Sequence, residues 1–343
     1  MKNKKLVYFL IASGTMVIIC ITAACCMILA PNIRKTRSGT ALLIPDGSSY
    51  ESVMDSVKTQ FFVRNIKVLN WVARKKNYPS HIKPGKYVFD NTLNYIKFIN
   101  ILRAGRQTPV KITFNNIRTI NELAGKVGGR IEADSAEIVS FLSDQNNYKN
   151  DGFTGENVIS VFIPDTYEFF WNTSSKGFYL RMLKEYRKFW NDQRVKKAGN
   201  ENLTPVEVAI LASIVDNEVA KSDEKPRIAG VYLNRLKRGM PLQSCPTIKF
   251  ALNDYSITRV LKKYLEVDSP YNTYKHSGLP PGPISCPTVD GLEAVLNAEK
   301  NDYLYFAANP DFSGSNVFSR TLAEHNRNAD LYHKELDRRK IFK

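Results

Sequence analysis

The chain has 343 residues, enough for one large hydrophobic core or for two or three smaller ones. Its 49 Lys and Arg against 33 Asp and Glu give a net charge of +16, but the basic residues are spread along the chain with no long run, which argues against nucleic acid as a partner and for an anionic lipid or polymer surface. His81, His276, His325 and His333 are scattered and no CxxC or HExxH spacing occurs, so neither a metal site nor a cofactor is expected.

Leu6 to Ala30 carries no charge and is long enough to cross a bilayer with some tilt. A cleaved signal peptide would have a shorter apolar core, about 7–15 residues. Thr22-Ala23-Ala24-Cys25 only loosely resembles a lipobox, because Thr stands three before the cysteine and Cys26-Met27-Ile28-Leu29 continues apolar. The expectation is an uncleaved single-pass anchor over 6–30. Lys2, Lys4 and Lys5 favour a cytoplasmic segment 1–5, an argument that Arg34, Lys35 and Arg37 on the other side weaken.

Residues 41–106 read as one small module. Ala41 to Gly47 is a short strand ending in a turn, Tyr50 to Val57 and Val68 to Lys76 are helices, Lys83 to Phe89 is a turn and strand, and Leu93 to Arg103 is a helix stopped by Gly105. Residues 107–160 begin a second small α/β unit or linker: strand Val110–Phe114, helices Ile120–Val127 and Ala136–Leu142, then a polar loop from Gln145 to Asn157. A long basic helix is expected from Phe178 to Val195, its Phe178, Met182, Tyr186 and Phe189 stripe packing on a core.

Thr204-Pro205-Val206-Glu207 is a strong helix start, with Thr204 as N-cap, Pro205 at the first position and Glu207 closing a capping box. Val206, Ile210, Leu211, Ile214 and Val215 follow at helical spacing, and Glu218 falls near the end of that stripe. A carboxyl on an apolar edge is desolvated, which raises its pKa toward what a general acid needs. The plain alternative is a solvated charge at a helix end. Pro226–Leu236 is a second amphipathic helix, with Asn234 in its last turn. Leu242-Gln243-Ser244 is short and extended; Gln243 offers both donors and acceptors to a ligand, or is an ordinary loop polar group. Ser269 to Ile284 is a rigid aromatic loop. Tyr271, Asn272 and Tyr274 could face a ligand, or the same side chains could hold the loop on the core. Helix Gly291–Ala298, a buried strand Asp302–Ala308, its partner Val317–Ser319 and a last helix Leu322–Arg339 complete the chain.

Seven blocks in order, SIVDNE, PRIAGVYLNRL, GMPLQS, PT, SPYNTY, GLPPGPI and DYLYFAA, lie between Ser213 and Ala308. Together they resemble the endolytic murein transglycosylases, the YceG-like family. The resemblance implies an α+β chain, anchored in the cytoplasmic membrane, with a LysM-like module over 41–106 and a catalytic domain over 161–343 on the outer side. Ile44-Pro45, Gly47, Gly85, Tyr87, Leu102 and Gly105 carry the LysM-like pattern. It implies cleavage of peptidoglycan strands without water, giving 1,6-anhydro ends, with Glu218 catalytic and no cofactor, and work beside peptidoglycan synthases such as penicillin-binding proteins. Asn234, Gln243, Ser244, Tyr271, Asn272 and Tyr274 fall in or beside the matching blocks, and His325-Asn326 matches the closing motif, so these are the expected substrate contacts. Cys245 stands where the family commonly has Asp, and Ser315-Asn316 where it commonly has Gly-His. In an oxidising compartment Cys245 and Cys286 could form a disulfide, or both could stay free. A non-catalytic wall-binding scaffold is the alternative function.

Overall fold

The computed structural model describes residues 2–37, 40–89, 91–115, 117–219 and 221–339; the ends of the expected N-terminal segment and catalytic domain lie outside them. The chain forms two compact units, one made of Met1–Lys111, Arg130–Ala133 and Glu168–Ser174, the other of Ile112–Gly129, Asp134–Tyr167 and Ser175–Lys343. The stretch 107–160, expected as a unit of its own, is therefore divided, most of it joining the second unit.

The first unit begins with helix α1 (Lys2–Leu29), whose Val7–Leu29 segment has a mean hydropathy of 2.3. At ~1.5 Å per residue those 23 residues cover ~35 Å, enough for a hydrocarbon core of ~30 Å. Strand β1 (Ile33–Lys35) follows at once, then β2 (Ala41–Ile44), α2 (Tyr50–Gln60), β3 (Phe61–Val63), α3 (Ile66–Lys75), β4 (Gly85–Val88) and α4 (Tyr95–Ala104). β2 pairs antiparallel with β4, and β1 with β3, the latter pair unforeseen because each strand is only three residues long. Leu42, Ile44, Val57, Leu69, Tyr87 and Phe98 form the centre of the core. Ser49, Asn65 and Asn94 cap the three helices with their side chains.

Strand β5 (Val110–Phe114) pairs with β6 (Asp165–Phe169). Helices α5 (Ile120–Gly128) and α6 (Ser135–Ser143) pack together between them in sequence. The expected long basic helix is two, α7 (Ser175–Phe189) and α8 (Asp192–Asn200): Asn191 takes extended backbone and caps α8 by accepting from Arg194 N–H. The predicted aromatic stripe does face a core, with Phe178, Met182 and Tyr186 buried.

The remainder of the second unit is built on α9 (Pro205–Glu218), which carries the expected capping box, and on α10 (Lys225–Lys237), α11 (Cys245–Ala251) and α12 (Val289–Leu296). Residues Val208 to Val215 are all buried, so α9 is a central helix covered on every side and not a surface helix with one apolar face. α10 and α12 pack on it. Lys225 ties the three together: its Nζ lies 2.9 Å from Asp216 Oδ1 on α9 and 2.7 Å from Asp290 Oδ2 on α12. Asp216 also accepts from the Thr288 N–H and hydroxyl at the start of α12. Strands β7 (Tyr305–Ala308) and β8 (Asn316–Ser319) pair antiparallel, and α13 (Leu322–Arg338) packs against them. β7 was expected to be buried; it is half-exposed, and its Tyr305 and Phe306 border the pocket described next.

Candidate active site

The last turn of α9 delivers Glu218 to the wall of a cavity of about 340 Å³. Tyr232 and Arg235 from α10, Leu242 and Gln243 from the extended link, Cys245 at the start of α11, Tyr274, Tyr305 and Phe306, and Leu322 and His325 from α13 complete its lining. Glu218 is the only carboxyl among these residues. It keeps an accessible edge on the cavity, while protein surrounds the carboxyl itself.

Two hydroxyls aim at one oxygen of that carboxyl. Ser244 Oγ donates to Glu218 Oε1 at 2.5 Å and Tyr232 Oη donates to the same atom at 2.8 Å. Ser244 is held in turn by its N–H donating to Thr273 Oγ1 and by Thr247 Oγ1 donating to its carbonyl. Burial pushes the pKa of Glu218 above the usual carboxyl range; the Ser244 and Tyr232 hydrogen bonds and the charges of Arg235 and Lys249 oppose this without cancelling it. With Oε1 taken by two donors, the proton of the neutral acid is left to Oε2, for which no hydrogen-bond partner stands among the described residues.

The opposite wall is layered. Arg235, itself buried, donates from Nε to the Leu304 carbonyl at 2.6 Å and from Nη1 to the Leu242 carbonyl at 2.7 Å. Its guanidinium lies 5.1 Å above the Tyr305 ring, and Tyr305 stacks on His325 with ring centres 5.4 Å apart. Burial, then the nearby Arg235 charge, lower the pKa of His325, so its ring is neutral near pH 7.

The expected contacts divide. Gln243, Tyr274 and His325 line the cavity, and Ser244 reaches it through Glu218. Gln243 adopts a left-handed backbone, φ 51°, uncommon for a side-chain-bearing residue and fixed by its N–H donating to the Thr273 carbonyl. Asn272 does not face the cavity: it is fully buried, and its amide donates to the Leu265 and Val267 carbonyls, organising the loop. Tyr271 packs on Phe250, 4.6 Å between centres. Asn234 turns away to the Asn301 and Tyr303 carbonyls, and the exposed Asn326 does not line the cavity. Cys245 and Cys286 form no disulfide. Cys245 is exposed beside Tyr274 Oη at 3.3 Å, whereas Cys286 is buried with its thiol on the Phe162 carbonyl.

Tyr232, Arg235, Tyr305 and Phe306 were read as core or passed over. A signal existed for Tyr232: a tyrosine in an otherwise aliphatic stripe brings a hydroxyl that burial obliges to find a partner. A larger hollow, about 870 Å³, also opens on this unit, but its carboxylates are committed, Glu207 to the α9 cap and Glu201 to Lys237 at 2.8 Å.

Comparison with known proteins agrees with the seven blocks. The profile of the YceG-like family matches residues 42–331. The endolytic murein transglycosylase of Bacillus subtilis is 28% identical over 321 residues, 89% of this chain and 88% of that protein. The endolytic murein transglycosylase of Streptococcus pneumoniae strain D39 is 27% identical over 331 residues, 88% of this chain and 59% of that longer protein. The crystal structure of a yceG-like protein from Listeria monocytogenes superposes with a TM-score of 0.55 at 28% identity, covering 84% of this chain and 97% of that one. A profile match over most of the chain, with a solved fold of the same type, settles the classification: the chain belongs to the YceG-like family.

Proposed function

We propose that this protein is a peptidoglycan lytic transglycosylase that cleaves the bond between N-acetylmuramic acid and N-acetylglucosamine inside glycan strands, with Glu218 as its catalytic residue. The observation that carries the reading is that Glu218 is the one carboxyl among the described residues of the cavity, desolvated and fixed through Oε1. Hydrolytic glycosidases use two carboxyl groups. One suffices when the nucleophile is part of the sugar. Neutral Glu218 gives its proton to the glycosidic oxygen as the bond to the anomeric carbon breaks. The resulting carboxylate takes the proton of the muramic C6 hydroxyl as that oxygen closes on the anomeric carbon. The products are a 1,6-anhydromuramic end and a free hydroxyl on the leaving sugar, and the acid is regenerated. Gln243, Tyr274 and His325 are the side chains placed to touch the sugars.

The apolar α1 supports a single-pass anchor, and the relatives' names support murein as the substrate. On this reading the catalytic unit acts on the outer face of the cytoplasmic membrane and ends nascent strands beside peptidoglycan synthases. The β2–α2–α3–β4 arrangement supports a LysM-like reading of 41–106.

The test is digestion of purified peptidoglycan by the full chain in detergent, with new ends read by mass spectrometry. Internal anhydromuramic ends are expected. Reducing ends would mean a hydrolase, and retained glycan binding without cleavage would favour the scaffold reading.

Ser244→Ala offers a finer check. Its hydrogen bond lowers the pKa of Glu218, so removing it raises that pKa further. An acid must be protonated to work. The high-pH limb of kcat/KM should therefore move upward, by about one pH unit for a hydrogen bond to a charge worth ~1.5 kcal/mol. A limb that stays put would separate Ser244 from the acid.

A further inference from the structure

α1 is not joined to the first unit by a loose linker. Asn32 is buried, and its side-chain amide donates to the Met27 and Ala30 carbonyls at the end of the helix, 2.7 Å each. Its carbonyl accepts from Arg64 N–H, its N–H donates to the Leu93 carbonyl, and Ile28 of α1 packs against the unit's core. Whatever depth α1 takes in a bilayer is thus imposed on the strands that follow it.

β1 starts at Ile33 and pairs Arg34 with Phe62 of β3. Both side chains are exposed, and the Arg34 guanidinium lies 4.4 Å above the Phe62 ring. Arg34 is five residues beyond the end of α1, so it lies within ~17 Å of it even fully extended. On α3, Lys67, Trp71, Arg74 and Lys75 share the outward face at helical spacing, with Lys75 Nζ 6.0 Å from the Trp71 ring. Among the described residues of this unit outside α1, the large apolar side chains left exposed are Leu43, Phe62, Trp71 and Phe170, and two of these four carry a cation. Residues 31–76 hold nine Lys or Arg against three Asp or Glu, and one of the acids, Asp55, is paired with Lys58.

We propose that Arg34 with Phe62 and the outward face of α3 together form a membrane-docking surface of the first unit, with Phe62 and Trp71 seated in the headgroup layer of the anionic bilayer that α1 crosses. Aromatic rings with adjacent cations suit that layer, because the ring enters the apolar boundary while the cation meets lipid phosphate. The charge selects an anionic partner, and the rigid junction with α1 selects the membrane over wall polymer farther away. The proposal stands on the anchor and not on the reaction at Glu218.

The full chain is reconstituted in phosphatidylcholine vesicles containing about one-third phosphatidylglycerol, with and without bromine high on the acyl chains. Trp171 and Trp190 remain in a Trp71→Phe variant, so the difference from wild type isolates Trp71. The Trp71 emission should fall about twofold or more in brominated lipid, and by less when the anionic lipid is omitted. Emission insensitive to bromine would overturn the proposal. Emission insensitive to bromine but shifted by soluble glycan strands would overturn it in favour of a sugar-binding face.

Discussion

Glu218→Gln is expected to lower the rate of glycan cleavage by about 10³-fold or more, at the upper end of what general acid–base catalysis contributes, because the proposed reaction uses this residue twice. The fold should be kept. A glutamine carbonyl can accept from Ser244 and Tyr232 as Oε1 does, and its amide can occupy the place of Oε2. The variant has a second signature. The folded-state pKa of Glu218 lies above the unfolded value, so wild-type stability from this group is present at low pH and is lost as pH rises from the ordinary carboxyl range through the raised value. Glutamine does not titrate. The unfolding midpoint of the variant should therefore gain on wild type between a pH near the ordinary carboxyl range and a pH above the raised value. Thermal melts at the two pH values, beside an end-group assay, check both statements. Unchanged cleavage would remove Glu218 from the mechanism, and a constant difference in melting would deny its desolvation.

Lys225→Met should destabilise the second unit by about 3–5 kcal/mol. Lys225 and Asp216 are each 9% exposed, and Lys225 is the cation between Asp216 and Asp290. Burial works against the lysine's charge, yet its bonds to the two aspartates carry its pKa above the ordinary value. Methionine fills the same space and leaves Asp216 a buried carboxylate held, among the described residues, by Thr288. Asp290 is half in water and loses little. Denaturant unfolding followed by circular dichroism gives the figure. A loss below about 1 kcal/mol would show the cluster to be a surface-like pair.

Local chemistry was the legible part of this fold. Thr204, Pro205 and Glu207 specify the start of α9 in four consecutive residues, and the structure has the same box. The position of Glu218 four residues beyond Ile214 offered a desolvated carboxyl beside the plainer reading of a solvated helix end, and the seven blocks favoured the first. What surrounds it came from far along the chain. Ser244 and Tyr232 reach Glu218 from 26 and 14 residues away, and no periodicity encodes such a meeting. α11 was missed because Cys245-Pro246-Thr247 reads as a turn until Thr247 is seen bonding back to Ser244. Asn272 and Asn234 show the opposite error. An amide beside a proline-rich loop or in a final helical turn has the right groups for sugar, but neighbouring carbonyls claimed both.

Asp216 and Glu218 stand two residues apart on one helix with opposite surroundings, one beside a lysine and the other beside hydroxyls. The reacting group is thereby carried at the end of a helix that is buried throughout from Val208 to Val215. Enzymes that carry their acid on a surface loop lose turnover on heating before they melt, since the loop loosens first. No such early failure is available here: heat inactivation and collapse of the second unit would share one temperature, and below it the rate would keep climbing.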